Sequence, residues 1–521
     1  MAPIKLILFF IFFQFGIVFS QTIELGVPYC QNITPNEIGY GGAMYTIAQN
    51  KLGTLCFGNF NGLLFYNGSR WRMQTWNGKP ILHQSANNQI FIGGFNTIAE
   101  CKLDEYNRNV FESLIDTVYD FGQIEKILVY QNRVYFVANK TLYYISNNQP
   151  KKLLSDSRFL SIFSDRNKLF ISTSEGLYEF KDEKAETSYI SNFFKNNEIL
   201  EMFRYANVLI ARTTNSFYKI KPDNSIEPFV TEIDADILQY EYSCSQKLSN
   251  NILCVATKKN GLYFINEHGK LVNYLNTTNG LYDNTIHDLF IDKANNLWAG
   301  FSNGVCRIEI PSAFTYFNRS YELHGKVTSI IRHGTHMYIG TESGLYKLIK
   351  GQSKVSNFQG IFNHTIQCNK LVSYNSSILA ATKQGLYEIK NDKPQLLFPG
   401  NIIAIQIDYK TQLLWVSTKT HVYVMKILNN TISLIQTIGP FNSDINSIAL
   451  ENDSVTWVGT YYEGVYQIIK KNNIYDVTKY SSGNGLPKSS QWIEVYQTSG
   501  GILFSTAVGL YRYDMGIGMF Y

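Results

Sequence analysis

Between Gly280 and Ile310 the hydrophobic and polar positions fall into three short runs separated by turns. The apolar run Ile286–Ile291 ends at the polar turn Asp292-Lys293-Ala294-Asn295-Asn296. Leu297-Trp298-Ala299-Gly300 follows, then the tight turn Ser302-Asn303-Gly304. In the last run Cys306, Ile308 and Ile310 alternate with Val305, Arg307 and Glu309. A period of two marks a half-buried strand, and three strands joined by short polar turns form an antiparallel meander. So small a sheet cannot bury both faces by itself, and the pattern therefore predicts neighbouring copies.

The copies recur along the chain. The step Gly-Leu-Tyr or Gly-Val-Tyr opens at Gly176, Gly344, Gly385, Gly464 and Gly509, and weaker forms open at Gly62, Thr97, Thr141, Ser216, Gly261 and His421. With Gly304 there are twelve starts, 35 to 45 residues apart, and glycine fills eight of them, as suits a tight turn needing a positive φ. A period of this length with three or four strands per unit predicts an all-β fold of β-propeller repeats, one per blade. Seven repeats precede Pro311, where 311–317 reads as a junction because proline ends a central strand. Five repeats follow. The organisation expected is two tandem propellers, about seven blades over 21–311 and about five over 312–521. The second is read as incomplete and the chain as a truncated copy of a longer protein; a six-and-six division closed by the termini is the alternative. The lead-in 22–50 is expected to share a blade with the other end of its ring, which removes an exposed edge.

Composition narrows the class. Aromatic residues make up 15% and charged residues 17% of 521, which suits many short buried strands. The net charge is +5, and its lysines and arginines are scattered among acids, which argues against a nucleic-acid surface. Residues 1–20 carry Lys5, an apolar core from Leu6 to Phe19 and a small Ser20, the form of a cleaved secretory signal. The core is short of the roughly 20 residues that a membrane span needs, so an uncleaved anchor is the lesser reading. The mature chain is expected in the periplasm or another extracytoplasmic space. Of seven cysteines, Cys244 and Cys254 flank a turn near Ser249 and are the disulfide candidates, against the simpler reading as buried thiols. Cys30, Cys56, Cys101, Cys306 and Cys368 read as small core residues.

Candidate chemistry is sparse. His333 and His336 sit on a turn and supply two ligands where zinc needs three or four, so no metal is expected. Asp234-Ala235-Asp236 lacks the glycine and glutamate of a calcium loop and reads as a turn or strand start. No phosphate loop or ordered catalytic triad appears, no cofactor is implied, and an enzyme is not the expected reading. Recognition remains. If the runs are strands A, B and C from the axis outward, B–C turns and D–A connections share the face that surrounds the central cleft. That places Tyr282, Asn284, His287, Ser302 and Asn303 there in the first ring, and Tyr461, Tyr462, Glu463, Lys488, Gln491 and Trp492 in the second. Aromatic faces with flanking amides and charges suit sugars or peptides, although each tyrosine taken singly is more readily a packing residue. Trp71, Arg72 and Trp76 form another cluster of exposed aspect.

The wording of the repeat resembles the two-component regulator propeller family. Gly280-Leu281, Asn284, Asp292, Asn296-Leu297-Trp298 and Gly304-Val305 carry the likeness, as do Gly485-Leu486-Pro487 and the stretch 501–506. The resemblance implies the ligand-sensing periplasmic region of a two-component or hybrid sensor, followed in such proteins by a β-sandwich, a membrane helix and an output domain. The partner it implies is a small molecule, oligosaccharide or peptide, with no nucleic acid and with a homodimer as a further assembly. The membrane would be reached only through a segment beyond Tyr521 or an uncleaved leader. A secreted polysaccharide lyase or hydrolase, or an adhesive surface protein, is the alternative.

Overall fold

The computed structural model describes residues 26–521 apart from 156–158, 182–183, 189, 196, 206, 250, 318, 351–355, 363, 429–430, 472–473 and 489–491. The leader 1–20 lies outside the described residues. The chain is all-β and forms two tandem β-propellers. It divides between Ser320 and Tyr321 into two compact units.

The unit Leu25–Ser320 contains seven four-stranded antiparallel sheets, here blades 1 to 7, with strands A to D running outward. Blades 1 to 6 span 44–74, 81–113, 124–155, 159–187, 199–228 and 242–275. Blade 7 takes strands A to C from 286–308 and its outermost strand from Cys30–Ile33, with Cys30 opposite Ile308 and Ile33 opposite Val305. Strand A of blade 1 packs against strand A of blade 7, so the ring closes on itself. The repeat steps of the sequence open strand C in every blade.

The model repeat shows why the pattern folds this way. Leu297–Phe301 is buried throughout, as an internal strand covered on both faces must be. Its turn is organised by Asp292, whose Oδ1 accepts the Ala294 and Asn296 N–H groups at 2.9 and 2.8 Å. Oδ2 accepts the Trp298 Nε1–H at 2.9 Å, which ties the turn to the core indole.

Strand A in most blades carries a β-bulge near its start, between Met44 and Thr46 in blade 1 and between Ile286 and Asp288 in blade 7. A bulge breaks the ladder and re-aims the next side chain. That side chain latches onto the neighbouring blade. Thr46 Oγ1 accepts the Leu82 N–H at 3.2 Å. Asp288 Oδ2 accepts the Ile47 N–H at 2.7 Å, so a carboxylate makes the latch that joins blade 7 to blade 1. Lys126 donates to the Leu160 carbonyl of blade 4, and Glu201 of blade 5 accepts from Tyr242 and Ser245 of blade 6. A buried N–H left unmet costs about 1–3 kcal/mol, which makes each latch a stability term.

Burial pushes the Asp288 carboxyl up to about 7, against the pull of the Ile47 and Leu289 N–H groups. In the unfolded chain an aspartate titrates near about 3.9. The folded state therefore holds the extra proton, and stability from this group should fall as pH rises from about 4 to about 7 and then level off. We expect a loss on the order of 1–2 kcal/mol, discounted because Asp288 is only partly buried. Thermal unfolding of the full chain at several pH values, compared with Asp288→Asn, should show a flatter profile in the variant. An identical profile would remove Asp288 as the source.

The unit Tyr321–Tyr521 holds blades 8 to 12 at 327–360, 368–399, 404–438, 445–480 and 494–511. The first four are four-stranded, the fifth has three strands, and a hairpin of Tyr513–Asp514 with Met519–Phe520 follows. The same latches recur, Ser329 Oγ accepting the Leu371 N–H at 3.0 Å and Ser447 Oγ the Val495 N–H at 2.8 Å. The end sheets keep apolar side chains in solvent, with Ile330 of blade 8 62% and Leu510 of blade 12 67% exposed.

Two expectations need correction. Cys244 and Cys254 are free thiols, not a disulfide. The bulge between Tyr242 and Ser245 takes Cys244 out of the ladder, and Cys254 lies opposite Gln246 instead. Asp234 and Asp236 open a helix, Asp234–Tyr240, rather than a turn or strand. The Asp234 carboxylate accepts the Thr231 N–H and hydroxyl at 3.0 and 2.6 Å.

Candidate functional site

In both rings the connection entering strand A is bonded to a B–C turn, which sets these segments on one face. In the second ring Ile445 N–H donates to the Lys419 carbonyl at 2.7 Å, Tyr461 N–H to Asp444 at 2.9 Å and Trp492 N–H to Tyr461 at 2.8 Å. This stitching spaces the side chains of blades 10, 11 and 12 along a shelf.

The shelf is aromatic. Tyr461 meets Trp492 edge-on with ring centroids 4.8 Å apart, and Tyr462 follows at 6.1 Å from Tyr461. Trp492 is 55% and Tyr462 68% exposed. Trp492 has φ of +57°, a conformation that costs an ordinary side chain about 1–2 kcal/mol. Its indole Nε1–H donates to Glu494 Oε1 at 2.9 Å, and the Tyr496 hydroxyl donates to the same carboxylate. Lys419 pairs with Asp444 at 2.9 Å beside the tyrosines, and that carboxylate raises the Lys419 pKa. Strained backbone, a fixed indole and two carboxylates make a rigid surface suited to stacking a pyranose face and binding its hydroxyls.

Of the residues expected in this ring, Tyr461, Tyr462 and Trp492 are brought together. Glu463 is engaged within blade 11, accepting from the Tyr466 hydroxyl at 2.6 Å and pairing with Lys479 at 3.2 Å. Lys488 is exposed in the connection into blade 12, and Gln491 lies outside the described residues. Glu494, Tyr496, Asp444 and Lys419 were missed. Their signal was positional, since Asp444 and Glu494 flank the starts of strand A in blades 11 and 12.

In the first ring His287 Nε2 lies 3.0 Å from Ser302 Oγ, joining strand A to the B–C turn of blade 7. The imidazole is 5.4 Å from the Tyr45 ring, and desolvation lowers its pKa, with Lys79 next in effect. Lys79 Nζ sits 3.8 Å from the centre of the Tyr45 ring. Asn284 shapes its own turn, exchanging hydrogen bonds with the Thr277 backbone and hydroxyl at 2.9 and 3.2 Å. Tyr282 keeps its ring 51% exposed while its N–H donates to Asn32 Oδ1 at 3.0 Å, and Asn303 is exposed on its turn. Tyr45 and Lys79 were missed, although Met44-Tyr45-Thr46-Ile47 aligns with Ile286-His287-Asp288-Leu289. Trp71 and Trp76 are packing residues rather than an exposed cluster. Trp71 stacks on Tyr66 at 4.4 Å and Trp76 lies 5.2 Å from Phe111.

On the opposite ends of the strands, clefts lie between adjacent blades. One of about 420 Å³ between blades 4 and 5 is bridged by Arg204, whose Nε and Nη2 donate to Asp165 at 2.6 and 2.7 Å. Among the described residues no group of three or more His, Cys, Asp or Glu is placed to hold a metal ion. His333 and His336 face each other across the turn of blade 8.

No family model and no curated protein matches the chain. Solved structures do. The chain is similar to the extracellular domain of BT3049, assigned as a hybrid two component system of B. thetaiotaomicron, with a TM-score of 0.69 and 16% identity over 93% of this chain and 71% of that one. It is also similar to the extracellular domain of BT4673 of B. thetaiotaomicron, assigned as a one component system, with a TM-score of 0.45 and 16% identity over 95% of this chain and 73% of that one. The first likeness shows a shared fold.

Proposed function

We propose that this chain is the extracytoplasmic, ligand-recognising part of a two-component-type signalling protein, and that it binds a saccharide on the shelf of the second ring. The observation that carries the reading is Trp492, held in a left-handed backbone conformation that fixes its ring against Tyr461 and its Nε1–H on Glu494. Strain of this kind persists where surrounding contacts over-determine it and often serves a site. The repeat wording and the fold shared with an extracellular domain of a two-component-type protein support the sensor assignment. Binding signals only if it favours one of two arrangements, so the ligand must contact them unequally.

Titration of the full chain with neutral oligosaccharides and with short peptides, followed by tryptophan fluorescence and calorimetry, tests this. We expect a saccharide to bind saturably and Trp492→Ala to weaken it about tenfold or more, a loss of about 1.4 kcal/mol. The same samples should show no new reducing or unsaturated ends. Preference for peptides, an unaffected Trp492→Ala variant or the appearance of such ends would overturn the reading.

A further inference from the structure

The mouth of the first ring carries a second, chemically different feature. Lys79 lies on the connection between blades 1 and 2, and its backbone is clamped by the Gln123 carboxamide of the segment entering blade 3. Gln123 Oε1 accepts the Lys79 N–H at 2.9 Å, and Gln123 Nε2 donates to the Lys79 carbonyl at 2.8 Å. The preceding Gly78, at φ +78°, fits so closely that a Cβ would stand 2.5 Å from Gln123 Oε1 and 2.6 Å from the Phe95 nitrogen. A lysine on a connecting segment is seldom fixed this firmly, and here two blades fix it. The side chain is open to solvent, yet the surrounding protein already lowers its pKa, with Glu125 pulling weakly the other way.

What the ammonium touches is an aromatic ring, Tyr45, with the His287–Ser302 pair beside it. The nearby Lys258 and Lys259 are neutralised on Glu241. An exposed cation over a tyrosine gains only about 0.5–1 kcal/mol, far less than a charge-assisted hydrogen bond to a carboxylate. The ammonium is therefore oriented but weakly engaged. Ser302 and His287 can exchange hydrogen bonds with a hydroxyl, and the exposed Tyr282 ring on the connection into blade 7 offers a face for a pyranose.

We propose that this mouth binds an acidic saccharide, with Lys79 receiving the carboxylate of a uronate unit and His287 and Ser302 its hydroxyls. The site is independent of the Trp492 shelf, and either can fail without the other.

Calorimetry on the full chain with galacturonate and glucuronate oligomers, and with their methyl esters, tests it. The acid forms should bind, the esters should bind about tenfold or more weakly, and raising salt from about 0.05 to 0.3 M should weaken the acid forms. Lys79→Met should lose about tenfold in affinity while melting like the parent, and Lys79→Arg should recover most of it. Equal affinity for acid and ester, an unaffected Lys79→Met variant, no binding by either oligomer series, or tighter binding of acidic peptides would each overturn the proposal.

Discussion

Glu201→Ala is expected to destabilise the first ring by about 2–3 kcal/mol. Glu201 faces Arg212 across the ladder of blade 5, and Arg212 is fully buried with its guanidinium between the rings of Phe217 and Tyr242, 4.9 and 4.7 Å away. Arg212 Nη2 donates to the Thr214 carbonyl at 3.3 Å, while Nε and Nη1 have no hydrogen-bond partner among the described residues. The charge is compensated through space by Asp234 and Glu201, and Glu201, ahead of Glu125, also stabilises the half-buried ammonium of Lys126. Removing the carboxylate weakens the compensation of two shielded cations and strips Tyr242 and Ser245 of their acceptor. Urea unfolding of the full chain should show the loss in the midpoint of the first-ring transition. Glu201→Gln combined with Arg212→Met should recover part of it, because the more deeply buried cation is removed with the carboxylate while Lys126 keeps Glu125. A single mutant within about 0.5 kcal/mol of the parent would show that the pair carries no such weight.

Trp457→Ala should cost the second ring about 3–5 kcal/mol. The indole is 1% exposed between blades 11 and 12, with Phe504, Tyr513, Tyr480 and Phe520 centred 5.0, 5.2, 5.5 and 6.0 Å away. Its Nε1–H donates to Glu451 Oε2 at 2.7 Å, so truncation opens a cavity and also frees a carboxylate. Trp457→Phe keeps most of the apolar volume and should cost about 1–2 kcal/mol, chiefly the hydrogen bond. Denaturant midpoints and the near-ultraviolet dichroism of the aromatic cluster provide the measurement. Equal losses in the two variants would mean that the bond, not the packing, dominates.

Strand order was legible because each repeat combines a period-two run with a turn whose chemistry is local. Asp292 and Gly304 announce their turns in the sequence, and the structure uses both as read. The interblade latches were not legible. Asp288 on Ile47 spans 241 residues, and nothing near Asp288 signals which N–H it will meet. The cysteine pair failed for a related reason, since one bulge shifted the register and period two magnifies a one-residue slip. Arg212 was visible but unread. It occupies the position held by Gly58, Gly300, Gly340 and Gly459 in other blades, opposite the latch residue. At Gly459 a Cβ would stand 2.2 Å from the Ile493 carbonyl. In blade 5 the space for a long cation goes with an irregular entry into blade 6, where the helix Asp234–Tyr240 precedes the bulge at Tyr242. On the candidate shelf, Tyr461, Tyr462 and Trp492 followed from strand order alone, whereas the carboxylate that orients Trp492 required coordinates.

The strand Cys30–Ile33 is the first of its ring in the chain, yet its partner is the last to be synthesised. Until Val305–Ile308 exists, that early segment has no place to dock, and six preceding sheets must hold a gap open beside it. Bringing the two together pays the loop entropy of almost the whole ring at once. Closure of the first propeller thus waits on its most distant contact in sequence, and until blade 7 is made a sheet edge stays unsealed and available to other chains.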